Sequence, residues 1–177
     1  MNPVSEDREA LPSRKRNRLS GFDYSTPGGY FLTACTANRK CLLWDNVGAT
    51  IGRPQDMRLS ACGEIVKKAI VDIPDYYSGL IVDHYVVMPN HIHILLRICA
   101  DDFGRPVVAP TVSTVMQQLK GAVTKKLGWN IWQKSFHDHI VRNEKEYLKI
   151  WEYIDNNPMN WEEDCFFVMP GRSLCDH

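Results

Sequence analysis

The sequence has no excess of either charge: 21 Lys and Arg balance 21 Asp and Glu over 177 residues. That balance argues against a protein that coats nucleic acid by bulk attraction. No stretch approaches the roughly 18 consecutive apolar residues of a membrane span, and the first residues are polar where a secretory signal would be apolar. A cytoplasmic protein without a membrane partner is therefore expected. The six cysteines, Cys35, Cys41, Cys62, Cys99, Cys165 and Cys175, include no C-x-x-C pair and lie in or beside apolar runs, which excludes a zinc knuckle and favours reduced thiols over a disulfide framework. Internal repeats and low-complexity segments are also lacking.

The sequence does have a 44% apolar content, enough for one compact core, and a segregated charge distribution. Between Ala10 and Leu43 six bases face only Asp23, and Val112–Lys149 carries seven bases against Asp138, Glu144 and Glu146. Six of the acids gather in the last 28 residues, with Arg172 the lone base there. A local basic surface for phosphates is thus compatible with zero net charge. Residues 1–26, with the Arg14-Lys15-Arg16 cluster and no sustained apolar period, read as a basic flexible arm. Residues 27–164 read as the folded domain, and 165–177 as an acidic tail.

After Pro27-Gly28-Gly29, the run Tyr30–Thr36 has strand composition. Met57–Ile73 places Leu59, Cys62, Ile65, Val66, Ala69, Ile70 and Ile73 at helical spacing and ends at Pro74. Leu80–Val87 and His91–Ile98 are β-rich runs joined by Met88-Pro89-Asn90, a hairpin signal. A second helix is expected over Thr111–Leu127, stopped by Gly128, with Lys120, Lys125 and Lys126 largely outward. Phe136–Val141 makes a short strand. Asn143 caps a last helix that ends before Pro158, with Glu146 at the capping-box position. Strand, helix, hairpin, helix, strand is the order of an α+β, ferredoxin-like split βαβ fold with a central antiparallel sheet, here followed by an additional C-terminal helix.

Three groups of residues could do chemistry. On a strand, His91 and His93 share one face while Ile92, Ile94, Leu96 and Ile98 share the other, which must meet the helices. Two adjacent imidazoles on the remaining face are a bidentate grip for a divalent ion, or simply two histidines on an exposed sheet. On the last helix Tyr147, Ile150, Trp151 and Ile154 form an apolar stripe, with Tyr147 read as core. Tyr153 and Asn157 fall together on its flank, four residues apart. Tyr153 is then either a nucleophile needing an activated electrophile or a nearby base, or an ordinary half-exposed tyrosine; Asn157 could offer its amide oxygen to the same ion. The stretch Trp132–Asp138 mixes aromatics with Lys134, as a base-stacking surface does and as plain packing also does.

Four stretches together resemble the REP-associated tyrosine transposases, a branch of the single-tyrosine HUH transposases of small bacterial insertion sequences. They are Gly29–Thr33, Tyr85–Leu96 containing Met-Pro-Asn-His-Ile-His, Ile131–Asp138, and Tyr153–Pro158. The resemblance spans about Gly29 to Asp164. It implies that His91 and His93 bind metal, that Tyr153 is the nucleophile, and that Asn157 is a further ligand. The metal would be magnesium or manganese. It further implies recognition of single-stranded DNA hairpins formed by palindromic repeats, cleavage through a 5′-phosphotyrosine, and a bacterial, nucleoid-associated setting. By the same analogy Arg14, Lys15, Arg16 and Lys120 would hold the hairpin, beside Trp132 and Lys134. Two rival readings stay open: a zinc hydrolase in which water attacks, and a domesticated hairpin binder that no longer cuts. So does the choice between monomer and homodimer, with Tyr153 serving its own or the other subunit.

Overall fold

The computed structural model describes residues 21–45, 58–100 and 110–168. Arg14, Lys15 and Arg16 lie outside the described residues. Four strands, β1 (Gly28–Cys35), β4 (Leu80–Val87), β5 (His91–Ile98) and β6 (His137–Val141), form a sheet ordered β4-β5-β1-β6. Every neighbouring pair is antiparallel. With the helices between them, this is the split order expected from the sequence. Two short strands, β2 (Trp44–Asp45) and β3 (Arg58–Leu59), pair separately.

The alternation of β5 divides the sheet into two chemical faces. Ile92, Ile94 and Leu96 lie opposite Ala34, Leu32 and Tyr30 of β1, and this face is covered by α1 (Ala61–Val71) and α3 (Val112–Leu127). Val66 and Ile70 of α1 and Val115, Met116, Leu119 and Val123 of α3 join the strands in one core. Each such fully buried side chain contributes about 1.5–3 kcal/mol. Ser60 caps α1 by accepting from the Gly63 N–H, Thr111 caps α3 by accepting from the Thr114 N–H, and Gly128 ends α3 at φ 81°, the left-handed region where only glycine carries no Cβ penalty.

The first helix is shorter than its apolar spacing predicts. Leu59 pairs with Trp44 in β3, so the helix begins only at Ala61. Pro74 does not follow a helix end; it sits in the first turn of a second short helix, α2 (Ile73–Tyr76), where its missing N–H costs nothing. The last helix, α4 (Glu144–Asn156), crosses the opposite face of the sheet beside β4 and β5. Asn143 Oδ1 accepts from the Glu146 N–H, and Glu146 reaches back to accept from the Arg142 N–H rather than from Asn143.

Ile154 is the one buried residue of α4, which corrects the reading of Tyr147 as core. Tyr147 and Trp151 are half-buried and hold the helix by polar and aromatic contacts: Tyr147 lies beside the Asp83 carboxylate, and Trp151 stacks on His84 with centroids 4.4 Å apart. His84 also pairs with Asp155 at 2.7 Å. Asp83 and His84 can both serve α4 because the β4 register shifts between Val82 and His84, and a bulge there turns consecutive side chains toward one face. Among the described residues no helix is long and apolar enough to cross a membrane.

Gly63 lies where α1 meets the β2 end of the chain, and a Cβ there would drive into the Leu43 carbonyl. That oxygen accepts from Ser60 N and belongs to the backbone, so it cannot swing aside. Gly63→Ala is expected to cost about 1–3 kcal/mol, read as a fall of several degrees in Tm by calorimetry.

Candidate active site

His91 and His93 lie on the face away from α1 and α3, yet that face is not open. His91 is 0% and His93 2% exposed, because α4 and the segment from Trp161 to Phe167 fold over them. That excludes the alternative of two surface histidines on an exposed sheet. Burial pushes the His91 pKa down to about 3, with the nearby Arg39 charge adding to the effect. Burial also holds His93 well below its ordinary value, followed by the effect of His91 itself. Both rings are therefore neutral at physiological pH.

Their hydrogen bonds fix how they point. The Asn90 side-chain nitrogen donates to the carbonyls of Arg39 and Phe166, at 3.2 and 2.8 Å, which leaves its oxygen to accept from His91 Nδ1 at 2.9 Å. His91 thus carries its proton on Nδ1 and presents a lone pair on Nε2. His93 Nδ1 pairs with the Thr33 hydroxyl at 2.8 Å, across the β1–β5 ladder. The two Nε2 atoms meet 3.0 Å apart.

From α4, the Tyr153 hydroxyl comes within 3.3 Å of His93 Nε2 and donates to Asp164 Oδ2 at 3.4 Å. Phe31 flanks both rings, stacked on His93 and edge-on to Tyr153. Tyr153 is 42% exposed. Burial of its hydroxyl end, reinforced by the Asp164 charge, pushes its pKa up to about 12, so it is a phenol at neutral pH. Asp164 closes the cluster. Its Oδ1 accepts from the Phe166 N–H at 2.7 Å and its Oδ2 from the Asn157 amide at 2.9 Å, and Oδ2 lies 3.9 Å from His91 Nε2.

His91, His93 and Asp164 offer ligand atoms that all lie within 4.8 Å of one another. Cis ligands about 2.1 Å from an octahedral ion are themselves about 3.0 Å apart, the separation that the two imidazole nitrogens have. The Asn157 side-chain oxygen is buried without a hydrogen-bond partner, a costly state for an amide that a cation would relieve. A neutral imidazole pair, a carboxylate and an orphaned amide oxygen form a donor set that fits a divalent ion.

No protein-family profile matches the chain. An uncharacterised protein of Haemophilus influenzae is 32% identical over 174 residues, covering 88% of this chain and 93% of that protein. The REP-associated tyrosine transposase of Escherichia coli K12 is 32% identical over 81 residues, 44% of each chain. A solved REP-associated tyrosine transposase, bound to a REP hairpin, superposes with a TM-score of 0.59 at 22% identity over 85% of this chain and 74% of that one, so the fold is shared. The shared fold and the partial identity both agree with the resemblance read from the sequence.

The other residues that the sequence offered to this transposase fold are placed differently. Trp132 is not a stacking surface: it is 3% exposed, bridged to Thr36 and built into the core, and the exposed aromatic nearby, Trp129, lies before that stretch. Lys120 does not point outward. Its ammonium donates to the carbonyls of Gln133 and Ser135 at 3.0 and 2.7 Å, and burial lowers its pKa, so it ties α3 to the loop before β6. Lys134 is exposed. Two residues that the sequence did not single out belong to the site. One is Asp164; the other is Arg39, whose guanidinium lies over the Phe166 ring at 5.2 Å. Residues 165–168, read as tail, contribute Phe166 against His91 and Phe167 against Trp161.

The neutral histidines set the acid stability of the fold. A histidine with a folded pKa below its unfolded value binds a proton more readily when unfolded, so stability is present above about pH 6.5 and is lost as pH falls toward 3. At pH 5 His91 alone is expected to cost about 2 kcal/mol relative to pH 7. Urea unfolding at the two pH values measures this, and His91→Asn should lessen the difference, His93 keeping its own share.

Proposed function

We propose that this chain is a metal-dependent single-stranded DNA strand transferase that cuts beside DNA hairpins through a 5′-phosphotyrosine on Tyr153. The observation that carries the reading is the approach of the Tyr153 hydroxyl to His93 Nε2, 3.3 Å away within the same chain. A divalent ion, magnesium or manganese, held by His91, His93, Asp164 and the Asn157 amide oxygen, supplies Lewis-acid polarisation of a phosphoryl oxygen.

The chain's own residues do the rest. Tyr153 attacks the scissile phosphorus and its proton passes to water on the exposed side of the residue, since Asp164 is engaged with the ion. A Tyr153 O–P bond forms as the bond from phosphorus to the preceding 3′ oxygen breaks, and that oxygen leaves as a hydroxyl after taking a proton from solvent. A 3′ hydroxyl can reverse the step, so cutting and rejoining need no ATP. Phe31, packed against both His93 and Tyr153, holds the nucleophile in line with the histidines. Because Tyr153 meets its own chain's histidines, one chain assembles the whole donor set, and a monomer suffices. Exposed Lys134 and the basic 14–16 cluster serve the phosphates of the hairpin, and the setting is the bacterial cytoplasm.

A zinc hydrolase is the second reading, and the His-His-Asp donor set is what favours it. A denaturing gel of protein incubated with labelled hairpin oligonucleotides and manganese separates the two. Strand transfer predicts a DNA-linked protein band that Tyr153→Phe abolishes while hairpin affinity stays within about twofold. Released fragments without that band would favour hydrolysis, and a covalent band persisting in Tyr153→Phe would remove Tyr153 as nucleophile. Asp164→Ala is expected to weaken manganese binding at least about tenfold by titration calorimetry.

A further inference from the structure

Beyond the histidines, the far side of Tyr153 opens into a cavity of about 560 Å³ between the last turns of α4 and the 160–165 segment. The sequence reading had no use for this space. Tyr153 forms part of its wall, so whatever fills it lies next to the reacting phosphate. We infer that this cavity is a nucleobase pocket for a nucleotide flanking the scissile phosphate, and that Asn156 and Asn160 read the base. The inference rests on the strand-transfer reading of the same site.

Charge decides what the pocket can hold. Glu152, Glu163 and Asp164 line it against the single cation Lys149, so the phosphodiester backbone is repelled while a neutral base is not. Its side-chain amides beyond the ion's reach, Asn156 and Asn160, are suited to the edge of a base, which an asparagine can meet with one acceptor and one donor together. With carboxylates added, acceptors outnumber donors. The pocket therefore favours adenine, cytosine or guanine, which carry an exocyclic amino group, over thymine, which carries none. The volume admits a base turned out of a single strand, as a base beside a hairpin is.

The position in sequence gives the pocket its leverage. Asn156 and Asn160 bracket Asn157 within one turn of the helix end, where the Asn160 N–H bonds the Asn156 carbonyl at 3.1 Å. A base seated there is held at a fixed distance from the nucleophile, so base identity is read in the rate of the Tyr153 step as well as in affinity.

The test uses the full chain and a set of hairpin oligonucleotides in which each nucleotide within three of the scissile bond is in turn adenine, cytosine, guanine, thymine or abasic. Adduct yield in manganese and dissociation constants by fluorescence anisotropy are both read. At one flanking position the amino-bearing bases should exceed thymine and the abasic site by about tenfold, and Asn160→Ala should bring thymine and abasic to parity with them. Asn156→Ala serves as a second variant should the first alter folding. Adducts with no base dependence, or a dependence that both variants keep, would remove the pocket while leaving strand transfer standing. Base-dependent affinity without any adduct would keep the pocket and remove strand transfer. Absence of both effects would remove both.

Discussion

The buried amide of Asn90 is the hinge on which this molecule's chemistry turns. Its nitrogen is committed to two backbone carbonyls, one from the turn after β1 and one from the segment beyond α4, so its oxygen has a single orientation and dictates the tautomer of His91. The cost of sinking two imidazoles into the interior is tolerated because each Nδ1 is satisfied. The same amide steadies backbone strain. Asn38 and Arg39 adopt φ of 53° and 52°, a left-handed conformation disfavoured for residues with a side chain. The turn persists because Thr36, Lys40 and Asn90 clamp it from both sides, and it delivers the Arg39 guanidinium to the edge of the cluster.

Much of the fold is legible in the sequence because local periodicity and capping agree with the tertiary arrangement. Alternation over 80–87 and 91–98 gives the hairpin its bounds, and the capping residues Thr111 and Asn143 start two helices where they are expected. The misreadings have a common cause. Whether the histidine face is covered depends on α4 and residues 161–167, which return from some 70 positions away and leave no pattern in the strand itself. Asp164 is hidden for the same reason, since an acid in the run Glu162-Glu163-Asp164 looks like any solvated charge. Trp132 beside a lysine reads equally as stacking surface or core, and only the backbone bridge to Thr36 decides for core. Lys120 lies on the flank of α3, where an ammonium can turn outward or back onto a loop.

The helix that carries Tyr153 is attached differently from the rest. α1 and α3 are held by aliphatic packing, whereas α4 buries Ile154 and otherwise relies on Trp151 against His84, Asp155 on His84, and Tyr147 on Asp83. Polar and aromatic contacts are directional, so they fix the rotation of the helix, and with it Tyr153, more tightly than an apolar stripe of the same size would. The placement of Tyr153 comes from orientation more than from burial.

The pairing of β5 carries one more implication. This strand is central, bonded on both sides, and its two faces hold unlike chemistry: aliphatic toward the helices, imidazole toward α4. A slip by a single residue would exchange them, sending both histidines into the hydrocarbon interior and Ile92 and Ile94 to the place beside Tyr153 and Asp164. Folding therefore proofreads the histidine cluster, because a chain that misaligns its polar face also forfeits its core.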